Sequence, residues 1–189
     1  MNVSVFCASS TQADDIYVKQ AERLGQIMSE SGVMCLYGGG RVGLMGALAK
    51  SVNANNGLIN GIIPKFMVDE GWDNPDVTEI LVDDMETRKK KLMTMADAIV
   101  VLPGGCGTLE ELIDSITAKQ LGIIDVPIVI VNVNGFYDCF ISMMNHIADQ
   151  KFMRNEHLKL WTVVSDVEEV FTAINNSCRI TNARSIAAM

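Results

Sequence analysis

A doubly wound α/β fold, its mostly parallel sheet covered by helices on both faces, is the architecture this sequence predicts. Three observations predict it. Short apolar runs alternate with longer segments of helical period along the chain. Two of the runs, Ala98-Ile-Val-Val-Leu102 and Ile128-Val-Ile-Val131, are apolar on both sides of the pleat, as strands between two helix layers read. Two glycine-rich stretches follow apolar runs and lead into helical period, which is where a Rossmann-like sheet passes from strand to helix.

The elements follow in order. Residues 3–7 alternate valine with polar and aromatic side chains, a strand closed by Ala8-Ser-Ser10. Residues 13–31 carry apolar side chains at three- and four-residue spacing and stop at Gly32, a helix. The run at 33–37 is a second strand, cut by Gly38-Gly-Gly40, and 44–55 is a helix stopped before Gly57. A strand at 58–63 ends at Pro64. The stretch 64–77, with Gly71, Trp72, Asn74 and Pro75, shows no periodicity and is predicted as a long loop, a kind that often serves function. Strand 78–82 leads into a charged helix at 85–95, acidic in its first turn and basic later, as the helix dipole favours. Strand 98–102, helix 108–121, strand 128–131, helix 137–149, strand 161–164 and helix 167–175 complete the alternation.

A length of 189 residues predicts one domain, residues 1–176, and the polar aperiodic stretch 177–189 is predicted to be a flexible tail. Fifteen basic against twenty-three acidic residues leave a net charge of −8. That argues against nucleic acid polymers and anionic membranes as main partners, since both need a basic surface. No apolar run approaches the ~18–20 residues of a spanning helix, and no signal-peptide pattern precedes the first strand. Five widely spaced cysteines without a C-x-x-C pair point to free thiols and a cytoplasmic setting. His146 and His157 have no ligand partner at helical spacing, so no metal is expected.

Sheets of this type bind ligands beyond the carboxyl ends of their strands. The first glycine turn, Tyr37-Gly-Gly-Gly-Arg-Val-Gly-Leu-Met-Gly46, contains G-x-G-x-x-G at Gly38, Gly40 and Gly43. No carboxylate stands about 20 positions on to hold a ribose, so a nicotinamide cofactor is not expected, and close strand–helix packing is the alternative use of these glycines. The second turn is Pro103-Gly-Gly-Cys-Gly-Thr-Leu-Glu-Glu111. It lacks the Gly-Lys-Ser/Thr ending of a Walker loop, yet a helix opened by Thr108 as its cap would offer bare N–H groups to a phosphate. Thr108-Leu-Glu-Glu111 also fits a capping box, a purely structural use of Glu111. Against that use, Glu110 and Glu111 lie about 100° apart at the borders of a face formed by Leu109, Leu112, Ile113 and Ile116. Carboxylates beside a phosphate cradle suit a site that also holds ribose hydroxyls or a developing cation.

Among the remaining polar residues, Arg88 and Lys89 come one turn into their helix, where they could reach an anionic ligand, while Lys90 and Lys91 fit a solvated face. Asp69 and Glu70 are loop carboxylates, and Thr117 shares a helical face with Glu110. Cys106 lies inside the turn with no histidine near it in sequence, so it is not read as a nucleophile.

The turn Pro103–Glu111, with Met85-Glu-Thr-Arg-Lys89 upstream, resembles the signature of the LOG ("Lonely Guy") family, cytokinin riboside 5′-monophosphate phosphoribohydrolases often mislabelled as putative lysine decarboxylases. The resemblance extends from Phe6-Cys-Ala-Ser-Ser10 through Gly61-Ile-Ile-Pro64 to Asn132-Val-Asn-Gly-Phe-Tyr137. It implies that Arg88 and Glu111 are the catalytic pair. Substrate contacts would come from Glu70, Lys89, Gly105, Cys106, Gly107, Thr108, Leu109, Glu110 and Thr117. It further implies a homodimer whose small-molecule partner is a nucleoside 5′-monophosphate, cleaved at its N-glycosidic bond to free base and ribose 5-phosphate with no cofactor. Three positions depart from the family pattern: Cys106, Glu86 and the segment Asp69-Glu-Gly-Trp-Asp-Asn-Pro75. The last two bear on base recognition. A broad AMP nucleosidase and a non-catalytic nucleotide or molybdenum-cofactor carrier are the alternatives.

Overall fold

The computed structural model describes residues 1–177; the predicted tail lies, apart from Ser177, outside the described residues. Seven strands form one sheet: β1 (Asn2–Phe6), β2 (Met34–Tyr37), β3 (Leu58–Pro64), β4 (Thr78–Val82), β5 (Ala98–Val101), β6 (Ile128–Val131) and β7 (Thr162–Val164). The order is β4-β3-β2-β1-β5-β6-β7, and every neighbouring pair runs parallel. The chain therefore winds outward from β1 in both directions, as the doubly wound prediction requires. The order reverses between β1 and β5, which opens a crevice at their carboxyl ends.

The helices are α1 (Asp15–Glu30), α2 (Gly43–Ala54), α3 (Lys65–Asp69), α4 (Met85–Thr94), α5 (Cys106–Gln120), α6 (Asp138–Asp149) and α7 (Val170–Asn176). Strand parity sorts the core into two layers. Ala98 and Val100 of β5 and Val129 and Val131 of β6 face one layer with Leu24, Leu48 and Ile174. Ile99, Val101, Ile128 and Ile130 face the other with Leu92, Leu112 and Met144. Both faces of these strands are covered, which is why their sequences are apolar throughout.

Two expectations need correction. The stretch 64–77 is not all loop, because Lys65–Asp69 forms helix α3. It spans less than two turns, too short for apolar periodicity to show, and starts from Pro64 in extended geometry. It closes with Gly71 N–H on the Val68 carbonyl and Trp72 N–H on the Met67 carbonyl, a Schellman end that needs the positive φ of Gly71 (70°). The second correction is Ile113, which is 39% exposed; the buried stripe of α5 runs instead through Thr108, Leu112, Ser115, Ile116 and Lys119.

The strand-to-turn junction after β5 is held from the core. The Tyr137 hydroxyl, fully buried, donates to the Leu102 carbonyl at 2.8 Å, immediately before the second glycine turn. Tyr137→Phe leaves that carbonyl without its partner. It should cost about 1 kcal/mol of stability, read from denaturant unfolding. An unchanged midpoint would show that the junction does not depend on it.

Candidate active site

Three segments, β3, the turn after β2 and α5, converge on one side chain. Arg88, in the first turn of α4, is 8% exposed. Its Nε donates to the Ile62 carbonyl of β3 at 3.0 Å and its Nη2 to the Gly38 carbonyl after β2 at 3.2 Å. Its Nη1 donates to Glu111 Oε1 at 2.8 Å. The helix that presents it is capped by Asp84, whose carboxylate accepts from Thr87 N–H at 2.7 Å and is held below its ordinary pKa by that bond. Gly38 is glycine for want of room: a Cβ there would collide with the Arg88 guanidinium.

Glu111 comes from α5 and is nearly as buried as its partner. Burial pushes its carboxyl above the usual carboxylate range, and the charge and hydrogen bond of Arg88 oppose that push. Its ionisation is therefore set by burial on one side and by the Arg88 guanidinium on the other.

The second glycine turn supplies the opposite kind of group. Helix α5 starts at Cys106, with Gly105 as its extended N-cap residue. Thr108 is therefore not the cap but lies inside the first turn, buried, packed so that a Cβ on Gly104 would strike it. The helix begins two residues early, and the Thr108 side chain occupies the room that the missing Cβ of Gly104 leaves. No capping box forms, and the Glu111 carboxylate goes to Arg88 instead. Among the described residues no acceptor takes the N–H groups of Cys106, Gly107 and Thr108, so the positive end of α5 is bare.

Ala8, after β1, ties the parts together. Its N–H donates to the Pro103 carbonyl and its carbonyl accepts from Met45 N–H, both at 3.2 Å, so the two glycine turns flank the β1–β5 crevice. The crevice is a cavity of about 580 Å3, within the range of small-ligand sites. Its polar lining includes Arg88, Glu111, Thr108, Ser9 and Arg41, with the backbone of Gly105, Cys106 and Gly107. Its apolar lining includes Met45, Ile63, Met67, Met85 and Trp72, with Met45 next to the Arg88 guanidinium at Gly38.

Six of the eleven residues singled out from sequence thus share one cavity. The other five do not line it. Lys89 turns to Glu110 at 2.7 Å and Asp114 at 2.8 Å, which raise its pKa. Glu110 is exposed and Leu109 packs against a core layer. Glu70 is exposed at the end of α3, next to Gly71 and Trp72 of the rim. Thr117 faces a separate hollow with Ile113, Ile116, Gln120 and Met144. Sequence reasoning missed Ser9, Arg41 and the methionines; the Arg41 position inside the first glycine turn was the available signal. No group of three or more His, Cys, Asp or Glu side chains among the described residues could hold a metal ion, and no helix among them is long and apolar enough to cross a membrane. No lysine lines the cavity.

A family described as "Possible lysine decarboxylase" matches residues 45–174. The chain is 37% identical over 153 residues to a probable cytokinin riboside 5′-monophosphate phosphoribohydrolase of Oryza sativa subsp. japonica, covering 80% of this chain and 69% of that protein. Over 152 residues it is 37% identical to a cytokinin riboside 5′-monophosphate phosphoribohydrolase of Arabidopsis thaliana, covering 80% and 70%. Other rice relatives are longer, and the chain spans as little as 61% of one of them. Among solved structures, a molybdenum cofactor carrier protein of Chlamydomonas reinhardtii superposes with a TM-score of 0.70 at 17% identity, covering 100% of this chain and 98% of that one. That likeness is one of fold.

Proposed function

Since the chain belongs to the family described as possible lysine decarboxylases, whose curated relatives are named cytokinin riboside 5′-monophosphate phosphoribohydrolases, we propose that it hydrolyses the N-glycosidic bond of adenosine 5′-monophosphates, N6-substituted ones included. The observation that carries this reading is the buried Arg88–Glu111 pair sharing one cavity with the bare N-terminus of α5. A nucleotide needs both: donors for the 5′-phosphate and a carboxylate at the ribose.

In this reading the N–H groups of Cys106, Gly107 and Thr108 anchor the phosphate, which fixes the ribose against Glu111. The C1′–N9 bond breaks with its electron pair leaving on the base, and positive charge grows on the ribose. Glu111 stabilises that charge and takes a proton from the water whose oxygen bonds to C1′, while the departing base gains a proton from solvent. Arg88 holds the Glu111 carboxylate ionised and oriented; a guanidinium is too basic to serve as the acid. Glu70, Lys89, Leu109, Glu110 and Thr117 are supporting contacts carried over from the family. Residues 1–176 act as one unit, in the cytoplasm.

The protein works as a homodimer on the same reading. Ile113, Met143 and Phe152, at 39%, 51% and 87% exposed, give α5, α6 and the following turn an apolar surface that a second copy would cover. Sedimentation should report twice the 20.6 kDa chain mass, and a monomer at micromolar concentration would overturn this part.

Incubating the purified protein with AMP and with N6-isopentenyl-AMP should release base and ribose 5-phosphate in equal amounts. Tight binding without product would favour the carrier alternative. A decarboxylase requires a lysine to form a Schiff base, and the cavity lining has none.

A further inference from the structure

The rim of the cavity carries an indole that packing does not explain. Trp72 is 55% exposed and belongs to neither core layer, yet it lines the same cavity as Arg88 and Glu111. The chain around it is tied down. Trp72 N–H closes α3 on the Met67 carbonyl at 2.9 Å, and Asp73 pairs with Gly40 in an antiparallel bridge. Asn74, 6% exposed, donates its Nδ2 to the buried Tyr37 hydroxyl at 3.2 Å, and its Oδ1 accepts from Asp76 N–H at 3.1 Å. The tether thus runs from the rim into the core beneath the first glycine turn. An aromatic side chain on a fixed segment has little conformational freedom to lose when a flat ligand arrives, and every base offers a π-face for stacking. The neighbouring methionines are apolar and deformable, suited to an aliphatic group attached to the base.

We propose that Trp72 is the base-stacking residue of this cavity and sets its preference among N6-substituted adenines, with Asn74 as the residue that positions it. The inference rests on the hydrolase reading for its substrates, but its first test needs no turnover. Mixing the protein with nucleotide in a stopped-flow instrument should change tryptophan emission at once with AMP and more with N6-isopentenyl-AMP. Ribose 5-phosphate, which has no base, should leave it unchanged. Trp72→Phe retains only Trp161, which is 8% exposed in the core, and should lose the response.

In turnover, Trp72→Ala should lower the ratio of kcat/KM for N6-isopentenyl-AMP over AMP about tenfold, through KM with kcat held. Trp72→Phe should keep most of the ratio, and Asn74→Ala should lower it while the indole is still present. An equal emission response to ribose 5-phosphate, no response to either nucleotide, or an unchanged ratio in Trp72→Ala would overturn the proposal. Emission that responds to nucleotides in a protein that hydrolyses neither would overturn the hydrolase reading and support Trp72 as a base contact.

Discussion

Glu111→Gln is expected to lower release of free base by about 10³-fold while leaving the protein folded. The substitution keeps the volume of the side chain and an oxygen that can accept from Arg88, so the cavity keeps its shape. The guanidinium keeps the Ile62 and Gly38 carbonyls but loses its counter-charge, at some cost in stability. That charge is what the proposed transition state uses. Burial already holds the Glu111 carboxyl above its ordinary range, so its ionisation has a cost that the amide does not incur. The linkage has a definite sign. A carboxyl raised in the folded state favours folding most when protonated, below the unfolded value, and that contribution is lost as pH rises through the folded value. Glutamine does not titrate, so Glu111→Gln should remove this segment of the stability-versus-pH curve. In the wild type, kcat/KM should fall on the acid side at a pH above that of an ordinary carboxylate, because the base must be ionised. Product analysis beside thermal unfolding checks both statements. Turnover like that of the wild type in folded Glu111→Gln would remove Glu111 from its assigned role.

The parts of this fold legible in the sequence are those where burial and period coincide. Ala98–Val101 and Ile128–Val131 are covered on both faces, and a run with no polar alternation can be placed in few other ways. Helix α3 was not legible, because five residues cannot display a 3.6-residue period; the Gly71 that closes it was the available signal. The start of α5 moved for a related reason. Thr108 is a good capping residue by type, but Gly105 takes the cap position and the Thr108 side chain packs against Gly104 inside the first turn. In the site, Arg88 and Glu111 are each visible as charged residues after strand ends, and the motif brings them to attention. Their junction is not visible. The acceptors that fix Arg88 include the carbonyls of Ile62 and Gly38, and a backbone carbonyl has no signature in residue type. Trp72 is similar: the sequence marks its loop as a candidate for function, but only the tether from Asn74 to Tyr37 shows how the segment is held at the rim.

Arg88→Met tests that junction most directly, because it should affect activity, stability and pH dependence together. The guanidinium makes three bonds in one plane, to Glu111, the Ile62 carbonyl and the Gly38 carbonyl. Methionine fills comparable volume and makes none of them. The Glu111 carboxylate then stays buried without its counter-charge, and breaking a buried pair on one side costs about 3–5 kcal/mol. Both influences of Arg88 that lower the Glu111 pKa are gone, so the folded-state value rises further. The variant should therefore lose most stability on the alkaline side and recover as pH falls and Glu111 takes up a proton. Adding Glu111→Gln to Arg88→Met should restore much of the alkaline-side stability, a coupling that a double-mutant cycle reads directly. Activity should not return with it. Base release in Arg88→Met should drop by at least about 10²-fold. Arg88→Lys should rescue little, since one ammonium cannot reproduce a planar fork across three acceptors. A stability loss in Arg88→Met independent of pH would mean that the two side chains do not titrate as a pair, and the charge-holding role of Arg88 would fall with it.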